Sequence, residues 1–220
     1  MQVNLLEFWP KILEATWETL VMVGVSLVFA IIIGLPLGIA LVVTRNNGIL
    51  PNAPVFNVLN GIVNLFRSIP FIILLVVILP FTRFIVGSSI GTAAAIVPLV
   101  FFSGPFIARL VETSLLEIDE GVVEASEAMG ATPSQIIFRV FLPEAFSSLI
   151  LNITVATIGL VGASAMAGTV GGGGLGDLAI SYGYQRFETD IMIATVVLLV
   201  VIVQIIQTLG NYFSRVVRRR

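Results

Sequence analysis

The residues able to do chemistry are few and unevenly placed. The chain has 220 residues, no cysteine, no histidine and one lysine, Lys11. Thiolate and imidazole catalysis, disulfides and the commonest metal ligands are therefore excluded by residue type, and no catalytic or metal-binding residue is expected. The glycine-dense run TVGGGGLG at 169–176 invites comparison with a phosphate cradle, but no Lys-Ser/Thr follows it and no strand precedes it. A tightly turned or flexible loop fits that run better. No G-x-x-x-x-G-K-[ST] motif is present, so the chain has no ATP site of its own. Carboxylates are densest between 109 and 143, in RLVETSLLEIDEGVVEASEAMGATPSQIIFRVFLP. Their spacing there is that of capped helices rather than of an acid–base pair, and the chemistry of such a segment is docking.

Within this segment, Asp119 is placed to cap a short helix carrying Val122, Val123, Ala125, Ala128 and Met129, which stops at Gly130. Thr132 then caps a second helix, with Pro133 at its first position and Gln135 completing a capping box. Ile136, Ile137, Val140 and Phe141 give that helix an apolar side. The result is a helical knuckle with a sharp corner.

The flanking chain must hold this knuckle at a membrane surface. It is 57% hydrophobic and 11% charged, with a mean hydropathy of +1.08, against about 25% charged residues in an ordinary soluble domain. We expect an all-α membrane protein, one domain over 1–220, with five transmembrane helices at about 20–43, 58–81, 85–108, 145–168 and 191–213. Ahead of them, the opening places Trp9 and Trp17 among Lys11, Glu14 and Glu18, which reads as a short interfacial helix lying on the bilayer. No cleavable signal is expected in the first ten residues, which lack a basic run before an apolar core. Between 55 and 66 the second span is amphipathic, with Asn57, Asn60, Gly61 and Asn64 on one stripe, and it is expected to bend near Pro70. Arg67 is either a snorkelling anchor or a residue at the mouth of a pathway, since arginine in mid-lipid is costly. Gln204 and Gln207 lie at i, i+3 in the last span and suit hydrogen bonds between helices. Arg215, Arg218, Arg219 and Arg220 form a basic end. It suits the cytoplasmic side better than nucleic acid, which with five spans puts the N-terminus outside and the knuckle inside.

Glu124-Ala125-Ser126, Gly130 six residues after the glutamate, Val140 and Leu142-Pro143 resemble the EAA loop of ABC importer permeases. That pattern has alanine where Ser126 stands and isoleucine where Val140 stands, both mild departures. The words FRSIPFIILL at 66–75 resemble the methionine-type branch of the family. The resemblance implies a type I importer fold in a bacterial cytoplasmic membrane, with 109–143 as the coupling loop. It implies two copies of the chain around a shared pathway, two ABC ATPase subunits holding ATP and magnesium, and a binding (lipo)protein delivering L- and possibly D-methionine. Glu124, Ala125, Ser126, Gly130, Leu142 and Pro143 would then couple to the ATPase, and Asn64, Arg67, Ser68, Ser164 and Met166 are candidates for the pathway. Another small amino acid or an osmoprotectant is an alternative cargo, and an ATPase-independent channel an alternative class.

Overall fold

The computed structural model describes residues 5–218, with side chains from Phe8 onward; Arg219 and Arg220 of the basic end lie outside the described residues. The described residues hold four helices long and apolar enough to cross a membrane. These are Phe8–Thr44, Thr92–Leu116, Pro133–Gly168 and Thr189–Arg218. Ala53–Ser68 and Phe71–Val77, bent by 103° at their junction, make a fifth span if counted together.

Helix α1 runs Leu5–Thr44 without a break. The expected separate interfacial helix is therefore corrected: its residues are the first turns of α1. Pro10 is the sixth residue of α1, and its missing N–H leaves one carbonyl of the preceding turn without its i→i−4 partner. Ile12 and Ala15 are buried against Leu175, Leu178 and Ile191, which holds these turns upright, while Trp9 and Trp17 face outward.

Helices α2 (Ala53–Ser68), α3 (Phe71–Val77) and α4 (Leu79–Val86) occupy the region of the second span, which is broken at the expected bend and ends past Phe81 in a further short helix. The bend falls where Pro70 removes an N–H and forces Ile69 into extended backbone (φ −86°, ψ 121°). Helix α5 (Thr92–Leu116) starts and ends later than its expected span of 85–108. Gly87 closes α4 in the left-handed region, and the Gly91 N–H donates to the Gly171 carbonyl at 2.8 Å, which delays the start. At the other end, Arg109 and Glu112 pair at i, i+3, so the charges do not stop the helix.

The core is built on close contact between α1 and α5. A Cβ on Gly34 would lie 2.7 Å from the Gly104 carbonyl oxygen, and one on Gly38 would lie 2.5 Å from the Ala108 carbonyl oxygen. Gly34-x₃-Gly38 thus meets Gly104-x₃-Ala108, the small-residue contact that lets membrane helices approach to backbone distance. Helix α6 (Glu120–Ala128) and α7 (Pro133–Ile136) follow. A five-residue π-turn, Ile137–Phe141, then joins α7 to α8 (Leu142–Gly168). The second knuckle helix is therefore the first turn of a rod reaching Gly168, rather than a separate piece before a span at 145. The π-turn sits just ahead of Pro143, which has no N–H to give; the Leu142 N–H reaches back to the Ile137 carbonyl, and the wider turn makes room for the proline ring.

At the end opposite the knuckle, the glycine run is tightly turned and packed. The Gly174 N–H donates to Glu18 Oε2 at 2.7 Å and the Leu175 N–H to Thr19 Oγ1 at 2.9 Å, so α1 caps the short α9 (Gly174–Leu178). A second π-turn, Ala179–Tyr184, leads to α10 (Thr189–Arg218). Gln204 and Gln207 of α10 point away from the bundle.

Candidate functional site

Two constructions stand out at the knuckle end. The first is the knuckle itself. Asp119 accepts the Gly121 N–H at 2.8 Å and opens α6. The chain reverses at Gly130, whose φ is +79°, with its N–H on the Glu127 carbonyl and the Ala131 N–H on the Ser126 carbonyl. The capping box is closed in both directions: the Thr132 N–H donates to Gln135 Oε1 at 2.8 Å, and the Gln135 N–H to Thr132 Oγ1 at 3.4 Å. Ile136 and Phe141 are buried in one cluster with Val42, Val43 and Leu115, which fastens the knuckle to the ends of α1 and α5.

This anchoring decides which motif residues face outward. Glu124, Ala125 and Gly130 are exposed, together with Ala128, Met129 (81% exposed) and Phe138 (68%). Ser126 is turned inward, 7% exposed, and donates to the Val122 carbonyl at 2.7 Å. Its position in the motif is a packing position here, where a small side chain lets α6 lie close. Leu142 is half-buried, and Pro143 is exposed beside the π-turn. The sequence names Met129 only as a member of the first knuckle helix and does not single out Phe138, because apolar residue type alone does not say that a side chain faces outward. A cleft of about 350 Å³ separates α6 from the 45–49 turn, lined by Arg45, Asn47, Glu120, Glu124 and Glu127 over a floor of Leu115 and Phe141.

The second construction lies within the bundle and was not anticipated as a unit. Arg109 of α5 pairs through Nη1 with Glu112, which is only 7% exposed. Its Nη2 donates to Asn60 Oδ1 and to Asn64 Oδ1 of α2, each at 2.7 Å. Asn64 also donates to Asn60 Oδ1 at 3.3 Å, and Ser68 Oγ donates to the Asn64 carbonyl at 2.8 Å. The signal that could have found it was a charged i, i+3 pair next to an asparagine stripe, but the two lie 49 and 45 residues apart in sequence.

Of the pathway candidates, Asn64 and Ser68 are thus brought together, and Arg67 is exposed one residue before Ser68. Ser164 is placed elsewhere, on the packed face of α8. It is 1% exposed and its hydroxyl is spent on the Val161 carbonyl at 2.8 Å, so it lines no open path in this conformation. Met166, two residues on, faces outward and is half-exposed.

With this geometry in hand, comparison with known proteins is informative. Residues 30–220 match the family described as the binding-protein-dependent transport system inner membrane component. The chain is 51% identical over 209 residues to the probable D-methionine transport system permease protein MetI of Vibrio cholerae, covering 95% of this chain and 93% of that one. It is 45% identical over 218 residues to the methionine import system permease protein MetP of Bacillus subtilis, covering 99% and 96%. Among solved structures, a chain of the MetNI methionine ABC transporter in an inward-facing conformation superimposes with a TM-score of 0.94 at 51% identity, covering 96% of this chain and 98% of that one.

Proposed function

Because the chain belongs to the family of binding-protein-dependent transport system inner membrane components, we propose that it is the permease subunit of an ATP-binding cassette importer that carries methionine, L- and possibly D-, into the cytoplasm. It is a multi-pass protein of the inner membrane and a transport component rather than an enzyme. In the proposed assembly two copies enclose the pathway, and two ATPase subunits, which hold ATP and magnesium, dock on the two knuckles. A binding (lipo)protein releases substrate at the outer face, and the N-terminus lies outside with the C-terminus in the cytoplasm. The observation that carries the reading is the capped knuckle, rigidly fastened to α1 and α5 and presenting Glu124, Ala125 and Met129 at its tip.

The physical requirement is a differential one: nucleotide shifts the permease between inward- and outward-open states only by as much as it favours one of them. A knuckle that flexed would absorb that difference. Here both orphan ends of its helices are capped, and Ile136 and Phe141 tie its displacement to the spans. Glu124 and Ala125 serve as docking residues, Ser126 as the packing residue beneath them, and Gly130 as the corner. Leu142 and Pro143, at the π-turn, pass the movement into α8. The full rod of α7, π-turn and α8 makes this a lever rather than a loop.

The test is reconstitution. The chain is co-expressed with a candidate ATPase subunit, purified through a tag on one partner, and assayed in proteoliposomes with the binding protein. Co-purification with ATP-dependent, methionine-selective uptake is expected. Co-purification with uptake of a different solute would discard the substrate and keep the permease, whereas absence of any ATPase association would overturn the importer reading.

A further inference from the structure

We propose that the guanidinium of Arg109, together with Asn60 and Asn64, is a carboxylate-binding subsite on the translocation path. The inference rests on the importer reading above and adds to it the group that meets the substrate's α-carboxylate within the membrane domain.

Helix α2 has three distinct faces. Val63, with Phe56 and Leu59, packs on Leu41 and Ala108. Val55, Val58, Ile62 and Leu65 form an exposed apolar face suited to lipid. Asn57, Asn60, Gly61, Asn64 and Ser68 recur at i, i+3, i+4, i+7 and i+11 and form a polar face, exposed at every position except the half-buried Asn60. Amide groups turned toward hydrocarbon would go unsatisfied at a cost of several kcal/mol each, so this face belongs on water. Arg109 reaches that face from α5.

The guanidinium is not saturated. It carries five N–H donors. Nη1 spends one of its two on Glu112, Nη2 spends both on the asparagine oxygens, and Nε is buried with no partner among the described residues. Two donors are left over, and the two at Nη2 are met by neutral amide oxygens. A carboxylate arriving along the polar face offers charge-assisted bonds, roughly twice as strong as those of an amide oxygen. It displaces the Asn60 and Asn64 amide oxygens from Nη2, and the two side-chain amides then turn so that their N–H groups donate to it. Glu112 keeps the resting cluster neutral, so the arginine is held in the bundle without a substrate and releases one readily. The class of ligand is a zwitterionic α-amino acid, held by its carboxylate.

The experiment uses the reconstituted importer with its ATPase and binding protein and radiolabelled L-methionine. Asn64→Asp places a permanent carboxylate on Arg109, and Asn60→Asp does the same from the neighbouring turn; Asn57→Asp puts a carboxylate on the same face of α2 at a position that makes no hydrogen bond to Arg109. Assembly with the ATPase is checked for each. Occupation of the subsite predicts at least about tenfold loss of uptake in the Asn60 and Asn64 variants, with Asn57→Asp within about threefold of the parent. A purely structural cluster predicts parental uptake in Asn64→Asp, because the aspartate adds an ion pair. Parental uptake in Asn64→Asp, or equal losses in Asn64→Asp and Asn57→Asp, would overturn the subsite. Failure of both the Asn60 and Asn64 variants to assemble would also overturn it, since no carboxylate would then be tolerated at Arg109. A parent that imports no methionine would instead sink the importer reading, and this inference with it.

Discussion

At Gly130 the backbone turns with φ +79° and nothing crowds the position of a Cβ, so the cost of a side chain there is conformational rather than steric. An L-residue in that region costs about 1–2 kcal/mol, and more if β-branched. Gly130→Val should lower the detergent melting temperature modestly and reduce ATPase-coupled uptake several-fold; unaltered uptake at full assembly would argue that the corner's shape is irrelevant to coupling. Thr132→Ala removes one half of the capping box and is expected to cost about 1 kcal/mol, read as a shift in the same melting curve. These positions were legible in the sequence because caps and corners are local: Asp119, Gly130, Thr132 and Gln135 lie within seventeen residues of one another. The inward orientation of Ser126 was not legible at this scale, since a motif position does not state which way its side chain faces. That was decided by Ile136 and Phe141, which fix the roll of the knuckle against α1 and α5. The Arg109 cluster is not legible locally, because its asparagine partners are on another helix.

Among the elements, α1 and α5 depend on backbone contact at Gly34 and Gly38. Replacing Gly38 by leucine would drive the side chain into the Ala108 carbonyl and Val111 and force the helices apart. Overpacking of this kind costs about 1–3 kcal/mol or more, and the expected outcome is loss of folded protein in size-exclusion chromatography. Gly24→Leu, on the same helix with nothing within 4 Å of its Cβ position, should be tolerated. Equal behaviour of the two variants would remove the small-residue contact as an explanation. The apolar runs announced the helices, but their ends were set by partners that no run displays. Lys11, Glu14 and Glu18 suggested an interface, whereas Ile12 and Ala15 in the same turns pack on Leu175 and Ile191, and Lys11 and Glu18 reach Tyr182 and Gly174 beside them. Arg109 suggested a helix end, whereas Glu112 let α5 continue for two more turns.

Over the whole molecule, the membrane orientation is open to a direct reading because the chain has no cysteine. Single cysteines at Asn46 and Met129 should react with an impermeant maleimide only from the cytoplasmic side, and those at Ser88 and Gln185 only from outside; any crossing of the two groups would invert the proposed orientation. The apolar segments followed from hydropathy, and the bend expected near Pro70 proved to be a break of 103° that makes a fifth span only if its two halves are counted together. The bond between Glu18 and Gly174 ties the first helix to a turn 156 residues later. During synthesis at about 5–20 residues per second, that carboxylate therefore waits roughly 8 to 30 seconds for its amide. The first helix can enter the bilayer early, but it cannot take its final seat until the fourth span and its glycine turn have been made. A chain stalled before residue 174 would already hold the second half of α1 against α5 through Gly34 and Gly38, while the first turns, from Ile12 to Glu18, would still lack their seat.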